Sequence, residues 1–169
     1  VIHNDITSTI VAKVVNSTVA STNTTIHAIS NADIDETDTL GIAASLFATG
    51  IAIADAGINT TVQAYADGAT LNSSGDVSAL AAAAHRARAT GFGGTFGAVA
   101  VGSMDISTTL GSTNLSKYEV EARLGDSSTV NANSLTILAE GYDDLIAQSE
   151  GLSGGAIGIA GAKSTLTNR

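Results

Sequence analysis

A five-residue pattern (apolar, polar, hydroxyl, Thr, apolar) occurs four times in this chain, at Ile6–Ile10, Ile58–Val62, Ile106–Leu110 and Ala162–Leu166. The starts lie 52, 48 and 56 residues apart, so residues 1–169 read as one repetitive segment. Its copies run at about 6–57, 58–105 and 106–161, with the opening of a fourth at 162–169. A short unit that recurs at a fixed period cannot bury an apolar face alone and stacks on its neighbours, which is the logic of a solenoid.

Within a unit the pattern is that of strands separated by turns. In the second copy, Ile51, Ile53 and Ile58 alternate with small residues, and Val62, Ala64 and Ala66 share one face. Asp67-Gly68 and Asn72 to Asp76 carry turn chemistry around the short strand Ala69-Thr70-Leu71. The alanine-rich stretches Val77–Ala89, Asp38–Phe47 and Leu135–Ser149 allow an alternative, a mixed α/β repeat with Ala-rich helices, since alanine is the best helix former. Strand-like alternation in Thr25–Ile29 and Thr136–Leu138, directly before such stretches, favours the all-β reading.

Proline decides in the same direction. A chain of 169 residues ordinarily carries roughly eight prolines, and this one has none. Proline lacks the amide hydrogen that a strand paired on both sides must donate, so its absence fits a chain made of central strands. If copies stack at the strand spacing of about 4.8 Å, Thr9, Thr61, Thr109 and Thr165 become one column. Ile6, Ile10, Ala12, Ile58, Val62, Ala64, Ile106, Leu110 and Leu166 then line the interior. The core residues are small, so the opposing sheets approach closely and the solenoid is thin and flattened. The two halves of a unit differ in composition, which favours one broad coil per unit over two similar ones. An insertion near Gly111–Glu119 belongs in a surface loop.

The net charge is −9, with seven Lys plus Arg scattered along the chain. That excludes a phosphate-backbone partner and an anionic membrane surface, and no apolar run reaches the length of a membrane-spanning helix. The chain opens on Val1 with no signal-peptide pattern, so an export leader is expected to be removed or to lie outside this sequence.

Chemistry-bearing motifs are few. Asp33, Asp35, Glu36 and Asp38 form an acidic stretch that, as a loop, could gather oxygens around calcium. It lacks the glycine and the terminal glutamate of an EF-hand loop, and a solvated acidic loop is the simpler reading. His3, His27 and His85 occupy no common repeat position, so no metal site is expected from them. His85, Arg86, Arg88, Lys117 and Arg123 are the residues a polysaccharide-cleaving site would use, but they do not recur at matching phases. The glycine-rich run Gly91–Gly97 reads as a tight turn and not a phosphate cradle, because no Lys-Ser/Thr follows. Asn16, Asn23, Asn59, Asn72 and Asn114 stand in glycosylation sequons, which in so Ser/Thr-rich a chain arise partly by chance.

The run Gly97–Val101, leading through Ile106–Thr109 to a short strand of the Ala69-Thr70-Leu71 or Ser128-Thr129-Val130 kind, resembles the repeats of large bacterial filamentous surface adhesins, the filamentous haemagglutinin and leukotoxin-like family. The resemblance implies a right-handed parallel β-solenoid, an extracellular cell-surface location, and a structural or adhesive role in a filament. No catalytic residue and no cofactor are expected beyond the calcium candidate. The expected partners are copies of the chain or adjoining repeats, stacked axially, and a host-surface or matrix ligand. The competing functions are a calcium-dependent surface module, an ice-binding solenoid carrying flat Thr columns, and a carbohydrate-active β-helix enzyme.

Overall fold

The computed structural model describes residues 1–111 and 119–168, with the side chain of Glu119 excepted. Among these residues there is no helix. Eleven strands follow one another: β1 (Ile2–Val15), β2 (Thr18–Ser21), β3 (Thr24–Ala44), β4 (Phe47–Asp67), β5 (Thr70–Ser73), β6 (Asp76–Phe96), β7 (Val99–Leu110), β8 (Glu119–Leu124), β9 (Thr129–Asn131), β10 (Ser134–Gly154) and β11 (Ile157–Asn168). Of the stretches that allowed helices, Val77–Ala89 and Leu135–Ser149 lie inside β6 and β10, and Asp38–Phe47 runs from β3 through the corner at Ser45-Leu46 to the first residue of β4.

The strands form three parallel sheets. Sheet A runs β1-β4-β7-β11, with β8 also on β4. Sheet B, short, runs β2-β5-β9, and sheet C runs β3-β6-β10. The first coil is thus β1, β2 and β3, the second β4, β5 and β6, and the third β7 with β8, then β9 and β10; β11 opens the next turn. One repeat makes one coil of a parallel β-solenoid. Sheets A and C, whose full-length strands have 21 residues, face each other over a path of about 70 Å at 3.3 Å per residue. Sheet B closes one end, and at the other end the chain turns directly from sheet C into sheet A. The flattened section expected from the small core residues follows from this arrangement.

The register corrects the threonine column. Thr9 lies opposite Thr61, and Ile6 opposite Ile58. Thr109 is opposite Gly57, Thr61 is opposite Glu119, and Thr165 is opposite Ser107. The offset between neighbours is 52 residues from Ile58 to Leu110 but 58 from Thr61 to Glu119, so six extra residues enter after Leu110. The pattern beginning at Ile106 therefore belongs four residues earlier in the coil than its resemblance to Ile58–Val62 suggests. A slip by an even number leaves every side chain on its own face, so pattern matching cannot detect it. The inserted segment and the sequon at Asn114, like Lys117, lie outside the described residues.

That parity also explains why the expected interior holds even where the register does not. Ile58, Val62, Ala64, Ile106 and Leu110 are buried, and Ile6, Ile10 and Ala12 are half-buried against the core. Leu166 is the exception at 54% exposure; it lies level with buried Thr108 but on β11, which has sheet neighbours on one side only.

The interior has two apolar clusters and a third, thinner region. Ile26, Val62, Leu71 and Val77 fill the end closed by sheet B, and Ile34, Ile58, Met104, Ile106 and Leu110 fill the middle. Beyond the middle, glycines replace the apolar core. Gly91–Phe96 is strand and not turn: Gly91 and Gly93 leave the space that Ile106 and Met104 of sheet A occupy, a close approach that any side chain would prevent. The void left there is about 10 Å³, so the two sheets are packed nearly to contact.

Candidate functional site

The acidic stretch forms no loop. It lies within β3, at a bulge between Ile34 and Thr37 where the register with β6 shifts by one residue. The extra residue turns Asp35 and Glu36 both outward, and the inward side changes from even to odd positions, Ile34 giving way to Thr37 and Thr39. The carboxylates meet a cation of the protein itself. Arg86, in the middle coil, lies 3.5 Å from Asp35 and 3.9 Å from Asp33 on one side, and 3.9 Å from Asp144 on the other. Glu36 is held above the usual carboxylate range by its hydrogen bond to Asp38 and that group's charge, and Asp38 accepts a hydrogen bond from Thr90. Among the described residues no group of three or more His, Asp or Glu is placed to hold a metal ion.

Beside Arg86 the outer face of sheet C is hollowed. Ala82 and Ala84 of the middle coil form the floor, with Ile29 and Asn31 on one side and Glu140 and Tyr142 on the other. The hollow measures about 650 Å³. A second, of about 290 Å³, shares Asn31, Ala84 and Tyr142 and extends the trough to Asp33 and Arg86. Its origin is a size mismatch in stacked columns, Ile29–Ala82–Glu140 and Asn31–Ala84–Tyr142. The exposed Tyr142 ring, the Asn31 amide, Glu140 and the Arg86 ion pairs give this trough a stacking surface and both hydrogen-bonding senses. It can bind a polar ligand, and nothing in it pairs a nucleophile with a base.

Among the described residues, those a polysaccharide-cleaving site would need stand in three places, with Arg86 and Arg88 together on the outer face of β6. His85 points inward while Arg86 points outward from the same strand. Arg123 is on sheet A, stacked over Tyr65 at 4.5 Å and 3.1 Å from Glu121. His85 instead sits between the two apolar clusters, with Nε2 3.0 Å from Thr60 Oγ1 and 3.4 Å from Ser30 Oγ and Nδ1 3.6 Å from Asp143. Burial lowers its pKa, with Asp143 working against that shift.

On sheet A, His3, Asp55 and Ser107 share one column, which brings together the residue types of a hydrolytic triad in the wrong order. Ser107 donates to Asp55 at 2.6 Å, while His3 contacts Asp5 at 2.6 Å and Asp55 at 3.0 Å. The serine hydroxyl faces a carboxylate and the imidazole lies on the far side of it, so the Ser–His hydrogen bond of a triad is not made. Asp5, hydrogen-bonded to the imidazole, and then Asp55 raise the His3 pKa.

Of the described sequon asparagines, Asn16 and Asn23 stand at corners, Asn59 on sheet A and Asn72 on sheet B. Asn16 has φ 48° and stacks at its corner with Gly68 at φ 58°. Asn23 accepts the Asp76 amide at 2.9 Å, and Asn72 accepts from Asn131 at 2.7 Å. The Ser21–Thr24–Ser73 hydroxyl cluster, with contacts of 2.8 to 3.2 Å, was not legible in the sequence, because Thr24 joins the Ser21–Ser73 pair from a different column and sheet. No protein-family model, curated protein or solved structure matches this chain.

Proposed function

We propose that this chain is a structural and adhesive segment of an extracellular filament, with the solenoid axis as the filament axis and growth by axial stacking of like coils. The observation that carries the reading is the parallel register itself. Each strand pairs along its length with its counterpart one coil away, and polar columns such as Asp33–Arg86–Asp144 cross the coils on the outside. A unit built this way propagates along one direction. The adhesive part of the proposal rests on the trough beside Tyr142 and Arg86, which is open, polar-walled and without catalytic pairing. An ice-binding role is less well supported, since of the four threonines that would form its column only Thr9 and Thr61 share a register, while Thr109 and Thr165 stand elsewhere.

The test is immunogold labelling of intact cells that express the natural protein, using antibody raised against this segment, together with an adhesion assay. Label on filaments outside the cell, and adhesion lowered by Tyr142→Ala in a folded protein, are the expected results. Label that appears only after permeabilisation would defeat the proposal.

A further inference from the structure

The glycine-filled end of the solenoid is inverted. Inside it stand Gly41, Gly93, Gly151 and Thr95; outside, on sheet C, stand Leu40, Ile42, Phe92, Phe96 and Leu152, all exposed, with exposed Leu46 at the corner. Ordinary alternation would place these side chains in the core. The exposure is not confined to the outer coils. Phe92 and Phe96 belong to the middle coil, with β3 on one side and β10 on the other, and remain 38% and 42% exposed. Across the corner, Val101 of sheet A is likewise flanked by β4 and β11 and is 41% exposed.

We propose that this sheet C flank is a lateral interface on which a second copy of the chain packs, side by side with the first. This contact is separate from axial growth and goes beyond the function proposed above. Taking roughly 200 Å² for a fully exposed large side chain, the six residues present about 700 Å². That exceeds the apolar patch of an ordinary monomer, about 300–600 Å², and approaches the roughly 800 Å² per partner of a stable interface.

Two arguments select a second copy as the occupant. The six residues carry no charge on a chain of net charge −9, and Glu150 is the one charged side chain in the columns of Leu40, Ile42 and Phe96, so two copies that repel elsewhere approach here at a lower electrostatic cost. Across the coils the columns read Leu40–Phe92–Glu150, Ile42–Gly94–Leu152 and Ala44–Phe96–Gly154, so large and small residues alternate at the strand spacing of about 4.8 Å, and another copy presents the same relief. The Phe92 and Phe96 rings close over Gly94 between them, each about 3.5 Å from where its Cβ would be, so the middle coil presents one continuous aromatic surface. An anionic bilayer has no cluster of cations to meet on this flank.

The experiment is sedimentation equilibrium of the purified chain up to several hundred micromolar, for wild type, for Leu40→Thr/Phe92→Thr/Phe96→Thr, and for Val101→Thr/Ile159→Thr. Threonine keeps strand propensity, and circular dichroism with a melting curve checks that each variant is folded. The expected result is a wild-type dimer, with the triple variant associating at least about tenfold more weakly and the sheet A variant unchanged. A wild type that stays monomeric overturns the proposal. So does association that survives the triple variant, or association that only the sheet A variant abolishes. Binding of wild type to phosphatidylcholine vesicles without self-association would make lipid the occupant and would equally refute it. The surface-filament reading is decided separately, by where antibody labels intact cells.

Discussion

Val62→Asp tests the interior directly. Val62 is fully buried in the cluster closed by sheet B, in register with Ile10 on one side and Val120 on the other. No cationic side chain belongs to that cluster. A carboxylate placed there is neutral or it does not stay buried. Holding it neutral at pH 7 means raising its pKa from about 3.9 by at least about 3 units, or about 4 kcal/mol at 1.36 kcal/mol per unit. Burial of the neutral carboxyl without partners adds about 1–3 kcal/mol. The expected loss at pH 7 is therefore about 5–7 kcal/mol, comparable to the whole stability of many domains. Near pH 4 the first contribution nearly vanishes, and the loss falls to about 1–3 kcal/mol. Val62→Thr, similar in volume, loses about 1–3 kcal/mol with no pH dependence. Urea denaturation followed by circular dichroism at both pH values, each variant compared with wild type at the same pH, measures all of this. A Val62→Asp protein as stable as wild type at pH 7, or one equally weakened at both pH values, would refute the assignment of Val62 to a dry interior.

Three further outcomes are expected. Gly97→Ala should cost about 3 kcal/mol or more, because a Cβ there collides with the carbonyl oxygen of Ser45 in the coil below; Gly161→Ala, with open space around its added Cβ, should change denaturation midpoints little. His85 has a lowered folded-state pKa, so below its unfolded value near 6.5 the unfolded chain binds the extra proton and stability falls as pH falls; His3, with a raised pKa, acts in the opposite sense, and the difference between wild type and His85→Gln across pH 7 to 5 isolates the buried imidazole. Arg86→Ala should lose no more than about 1 kcal/mol, less at high salt, because Arg86 and its partner carboxylates are solvent-accessible, and thermal melts of wild type with calcium or with chelator should coincide.

The sequence by itself determined the period, the all-β class and which side of the strands around Ile58 and Ile106 faces inward. These rest on local rules: strand alternation has period two, proline is excluded from doubly paired strands, and Asp67-Gly68 turns where its chemistry says. Position along the coil was a different matter. Ile106–Leu110 matches Ile58–Val62 in pattern yet pairs four residues away, and only contact between coils distinguishes two registers that bury the same face. The tertiary structure also decided what the acidic stretch does, because Asp33 and Asp35 meet Arg86 through a bulge whose partner lies 52 residues further on. It decided that a glycine run is strand, since Met104 and Ile106 fill the space beside it from the opposite sheet. It made a trough from alanines that are unremarkable until Asn31 and Tyr142 stand on either side. Each of these depends on which distant residues share a column or face each other across the interior, and a linear pattern carries no record of that.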